Sequence, residues 1–142
     1  PGKILQVINA VNTTQSTHSS ATPAELLTAA ITPISTSSKI YVQAVIPFTN
    51  AVNGDASFFV DRDSTRLPSA GITSALINTG DATNNNGMMS MTATYIDSPS
   101  STSELTYKLK VVTATATMYI NRRGLNTGFT GATTLTLMEI AG

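Results

Sequence analysis

The sequence predicts an all-β fold, an antiparallel β-sandwich of jelly-roll type, on three observations. Apolar alternation rich in β-branched and aromatic residues recurs at short intervals along the 142 residues. Helical periodicity is nearly absent. Turn residues break the pattern every ~8–15 residues, the spacing of sandwich strands. Without crossover helices there is no room for parallel βαβ units. The length suits a single domain, residues 1–142, with one core.

The strands follow in order. KILQVI places apolar residues on both faces of Lys3–Ala10. Leu26–Thr32 lies in ATPAELLTAA, where Ala, Glu and Leu would also suit a helical turn; the ITP that follows and the β-rich surroundings favour a strand. Lys39–Phe48 carries YVQAVI, and Ser57–Arg62 carries FFV. A short strand around Ala70–Ile77 precedes Met88–Tyr95. Leu105–Thr113 alternates cleanly, with Tyr107, Leu109 and Val111 on one face and Lys108 and Lys110 on the other. YIDSPSSTSELTYKLKV (95–111) therefore reads as a hairpin around Asp97-Ser98-Pro99. Thr117–Asn121 and Thr133–Ile140 complete the set. Asn53-Gly54, Arg123-Gly124 and Thr130-Gly131 mark other turns, and the polar segments 12–23 and 79–87 read as displayed loops.

Composition narrows the function classes. Hydrophobic residues make up 41%, enough for a core, while charged residues are only 11%, with eight basic residues balancing eight acidic ones. Phosphate neutralisation needs a basic stripe, and none exists, so nucleic acid is not an expected partner. No apolar run reaches the ~18–20 residues of a membrane span, so membrane insertion is not expected either. The absence of cysteine excludes disulfides and thiolate chemistry. The opening PGKILQV suits a natural start after removal of an initiator Met, and no signal peptide opens the chain. A surface so poor in charge favours self-association.

Candidate chemistry is sparse. His18 sits among serines without a nucleophile elbow and reads as a bystander. Asp61 and Asp63 have metal-loop spacing but lack the remaining oxygens and the turn glycine of a calcium site. They read as a hairpin end whose Asp and Arg residues pair across the turn. No paired carboxylates suit glycoside chemistry and no phosphate loop is present. The threonine runs at 91–95, 113–118 and 133–138 lack the fixed period of an ice-binding solenoid. YINRRG (119–124) reads as edge-strand charge. The expectation is a protein that is not an enzyme, with no cofactor and no metal.

Strands apolar on both faces are the stronger signal. One face enters the core, and the other needs a neighbour. Leu5, Val7, Tyr41, Val45, Leu135 and Leu137 are the candidate subunit interface. Thr14, His18, Asp81, Asn84 and Asn85 are the candidate partner-facing loop residues.

GKILQV, ITPISTSSKIYV (31–42), VDRDST (60–65), YIDSPSSTSELTYKLKV, MYINRRG (118–124) and the closing TLTLMEIAG occur in series. That series resembles small TNF/C1q-like jelly-roll proteins on the virion exterior of tailed, marine-type phages. The Y-I-D-S-P turn, the Y-I-N strand and the terminal L-M-E-I are its most specific parts, and AELLTAA departs from it. The resemblance implies a homotrimer made in the host cytoplasm and carried on the virion. Its foremost role would be a capsid decoration (cement) protein bound to a major capsid protein. The alternative is the receptor-binding tip of a tail fibre, associated with tail-fibre components and recognising a host surface glycan or protein.

Overall fold

The chain is one long two-stranded hairpin rolled up on itself. A computed structural model describes residues 2–50, 56–68, 77–79, 87–113 and 117–142. Its strands are β1 (Ile4–Asn12), β2 (Ser16–His18), β3 (Ala24–Ile31), β4 (Lys39–Asn50), β5 (Ala56–Arg62), β6 (Thr65–Leu67), β7 (Ile77–Thr79), β8 (Met89–Asp97), β9 (Leu105–Thr113), β10 (Met118–Ile120) and β11 (Thr133–Ile140). The pairings nest. β1 pairs with β11, β3 with β9, β4 with β8, and β5 with β6 and β7, all antiparallel. Rolling the hairpin adds β4–β11 and β5–β9. That nesting defines a jelly roll: an all-β sandwich of two antiparallel sheets.

One sheet is six-stranded, ordered β1-β11-β4-β10-β2 with β8 on the other side of β4; the second holds β3-β9-β5-β6 with β7 beside β5. Their inner faces meet in one core. Ile40, Val42, Ala44, Ile46 and Phe48 of β4 face Phe58 and Val60 of β5 and Tyr107, Leu109 and Val111 of β9. The Phe48 and Phe58 rings lie 5.4 Å apart, tilted at 56°.

Several expectations are corrected here. β8 and β9 do not form a hairpin: each pairs in a different sheet, so residues 98–104 arch across the sandwich. Ser100, at φ 51°, sits in that arch. Leu135 and Leu137 are fully buried in the core and cannot line a subunit interface. They share the inward phase of β11 with Glu139, whose carboxylate is buried rather than solvated. The loop expected at 12–23 contains β2, which pairs with β10.

ATPAELLTAA folds as β3, despite its good helix formers. A register break between Glu25 and Leu27 lets Leu26 and Leu27 both pack on the core. Tertiary burial outweighs local propensity here.

Candidate interaction surface

Three polar side chains hold the crossings of the roll. Asp97, at the end of β8, points into the sandwich and accepts from Arg62 Nη1 at 2.7 and 2.6 Å and from Tyr107 Oη at 2.8 Å. One carboxylate thus ties the six-stranded sheet to β5 and β9 of the other. Burial alone would lower the Arg62 pKa, but the hydrogen bond and charge of Asp97 outweigh it and the pKa is raised. Burial, and then Asp97, push the Tyr107 hydroxyl far up, so it stays a donor.

Glu139 closes the opposite side. It accepts from Gln6 Nε2 at 2.6 Å and from the Ile34 amide at 2.7 Å, fastening β1 and the 32–38 loop to β11. Burial pushes this carboxyl up, yet the donors around it outweigh burial and hold it below the usual carboxylate range. The Ser38 hydroxyl contributes by proximity, although its geometry falls short of a hydrogen bond.

Asn121 is the third. At φ 59° it turns the chain after β10, a conformation asparagine tolerates better than most residues. Its side chain donates to Asn12 O at 2.8 Å and Thr14 O at 3.1 Å, and accepts from Thr133 Oγ1 at 2.9 Å. These three residues occupy the motifs that most specifically carry the family resemblance. Sequence reasoning missed their role. For Asp97 and Glu139 the available signal was a polar residue in phase with the buried positions of its strand; Asn121, just past β10 and out of phase with it, carried no such signal.

The outer faces of the two sheets differ in chemistry. On the five-stranded sheet, Asp61 accepts from Lys110 Nζ at 2.8 Å and Arg66 Nε at 3.2 Å, and the Arg66 guanidinium lies 3.4 Å from the centre of the Phe59 ring. Glu25 and Lys108 add a looser pair at 3.9 Å. Asp63, at φ 51°, accepts from the Thr106 amide at 2.9 Å. The two aspartates therefore serve separate contacts at a hairpin end. Among the described residues no three His, Cys, Asp or Glu side chains converge as a metal site.

The six-stranded sheet presents the contrasting face. Register sets Val7, Met138, Tyr41 and Ile96 side by side across four strands. The next outward rows are Asn9, Thr136, Gln43 and Thr94, then Val11, Thr134, Val45 and Thr92. Among the outward positions of β1, β11, β4 and β8, Lys39 carries the one charge. Ile4, Val7, Val11 and Ile96 are each more than half exposed. Of the expected interface residues, Leu5, Val7, Tyr41 and Val45 belong to β1 and β4 and retain exposure, whereas Leu135 and Leu137 do not.

Of the expected loop residues, Thr14 and His18 fall within the described residues. Thr14 is exposed, with its amide donating to Asn12 Oδ1 at 2.8 Å. His18 is half-buried in β2, its Nε2 2.9 Å from Ser20 O. Asp81, Asn84 and Asn85 lie outside the described residues.

No family model matches the chain, and no curated protein does. Solved structures do. A mutant VP2 protein of infectious bursal disease virus, in derived T=1 particles, matches with a TM-score of 0.51 at 13% identity, over 96% of this chain and 36% of that one. The structure of the Gt strain of infectious bursal disease virus matches with a TM-score of 0.53 at 16% identity, over 99% of this chain and 38% of that one. This chain thus spans little more than a third of those proteins. At such identity the likeness is one of fold, and the fold shared is the jelly-roll sandwich.

Proposed function

We propose that this protein is a structural component of a phage virion exterior, a homotrimeric capsid decoration protein. Its copies meet through the outer face of the six-stranded sheet. The observation that carries this reading is the contrast between the two faces of one sandwich. Ion pairs cover the five-stranded side, while the other offers an almost uncharged field with the Val7–Met138–Tyr41–Ile96 row across it. A charged face is at home in water; an uncharged one crossed by an exposed apolar row gains by having that row covered. The fold likeness to VP2 in T=1 particles supports a virion setting, and the resemblance to phage exterior proteins supports the decoration role. With a net charge of zero, the trimer engages the major capsid protein through polar and backbone contacts, summed over three copies, and not through charge.

One observation favours the fibre-tip reading. On the loop after β10, Phe129 is more than half exposed with the Arg123 guanidinium 4.0 Å from its ring centre. An aromatic face beside a cation suits a host glycan.

Light scattering at low micromolar concentration tests the trimer. It should return about three times 14.8 kDa. Val7→Glu, on an exposed position of β1, should give folded monomer. A monomer from the unaltered protein would end this reading.

A further inference from the structure

Acidic residues avoid two long stretches of this chain: none occurs from Pro1 to Ala24 or from Leu105 to Met138. β2, β10 and the loop 121–131 come entirely from those stretches. Two consecutive arginines, Arg122 and Arg123, stand in that loop. Each guanidinium lies over an aromatic ring, Arg122 at 5.0 Å from the centre of Tyr119 and Arg123 at 4.0 Å from that of Phe129. Arg62, Arg66, Lys108 and Lys110 are matched by Asp97, Asp61 or Glu25. Arg122 differs: its Nε donates to Arg123 O at 3.1 Å, and among the described residues no carboxylate pairs with it.

The loop that carries these groups is displayed yet tied down. Residues 125–130 are all exposed, Leu125 by 63% and Phe129 by 56%. Gln15 Nε2 reaches over from the β1–β2 connection to Thr127 O at 3.0 Å, Phe129 O at 3.3 Å and Thr130 Oγ1 at 2.7 Å. Asn126 Oδ1 accepts from the Gly128 amide and from Arg123 Nη2, both at 3.2 Å. Arg122 bridges to Thr130, and the Gly131 amide donates to Asn121 O at 2.9 Å. A loop held this way gives up little conformational freedom on meeting a ligand.

We propose that this end of the sandwich binds an acidic polysaccharide, one bearing uronic or sialic residues, through Tyr119, Arg122, Arg123 and Phe129. The inference rests on the fibre-tip reading and names its ligand class. A sugar carboxylate matches the planar fork of a guanidinium, and the C–H face of a sugar ring suits the negative face of an aromatic ring. Arg122 breaks no ion pair of its own when a ligand's carboxylate arrives. An acidic peptide added as a strand fits less well, because β10 is already paired on both edges, with β4 and with β2.

Titration calorimetry tests this with short oligomers of galacturonate, mannuronate and sialic acid, each beside its methyl ester, which keeps the sugar and removes the charge. At least one acid form should bind about tenfold or more tightly than its ester. That binding should weaken as salt is raised. Arg122→Gln should weaken it about tenfold, and Arg122→Lys by less, since lysine keeps the charge without the fork. Phe129→Ala should weaken acid and ester alike. Thermal unfolding, measured beside each titration, should stay unchanged in all three variants. Esters that bind as well as acids would overturn this inference and leave the fibre-tip reading standing. Acid binding untouched by Arg122→Gln and Phe129→Ala would overturn the site. No binding by acids or esters would also overturn the inference; the fibre-tip reading falls separately, if virion imaging finds no copy at fibre ends.

Discussion

Replacing Asp97 by alanine probes the crossing between the sheets. The substitution strands two partners at once. Arg62, whose side chain is 20% exposed, loses a buried counter-charge, and the Tyr107 hydroxyl loses its acceptor. Breaking a buried ion pair from one side costs ~3–5 kcal/mol, and the partial exposure of Arg62 places this case at the lower end. The expected loss is about 3 kcal/mol, or a fall of about 10 °C in Tm for a chain of this size. Tyr107→Phe removes one hydrogen bond and should cost about 1 kcal/mol. Because both changes delete the same contact, the double variant should cost less than their sum. Urea unfolding followed by circular dichroism at one fixed protein concentration measures all three. A loss below 1 kcal/mol for Asp97→Ala, or strict additivity, would refute the reasoning.

Three other outcomes follow from the packing. Leu137→Ala should cost ~2–5 kcal/mol in unfolding experiments because the side chain is wholly buried, while Val7→Ala should barely alter unfolding and act instead on association. Glu139 is held below the usual carboxylate range, so its stabilisation is complete above the unfolded-state pKa of about 4.3 and is lost as pH falls through the folded value; Glu139→Gln should flatten the acid limb of a stability–pH curve. Gly131→Ala should lower stability by ~1–3 kcal/mol, since a Cβ there would lie 2.5 Å from Pro47 Cβ, a ring atom with little freedom to give way.

The strands were legible because alternation survives in single sequences. Lys39–Phe48, Leu105–Thr113 and Thr133–Ile140 sit within two residues of β4, β9 and β11. β2 and β6 escaped because Ser16–His18 and Thr65–Leu67 are short and mostly polar, whereas the equally short β10 carries Met118 and Ile120 in alternation. The 95–111 segment was misread for a different reason. Local alternation shows that two strands exist, not that they pair, and in a rolled hairpin neighbours in sequence fall in opposite sheets.

The candidate surface was half legible. An apolar second face was visible in β1 and β4. In β11 the phase was inverted, because a buried Glu139 satisfied by Gln6 and Ile34 cannot be foreseen without knowing which loops come to meet it. The chemical contrast of the outer faces needs cross-strand register, which no single strand contains.

Placement on the particle is the most direct test of the central claim. Imaging of purified virions, with the protein located by density or by labelled antibody fragments, should find it regularly distributed over the outside of the shell in three-fold clusters. Finding it confined to fibre ends, or missing from particles altogether, would contradict the account.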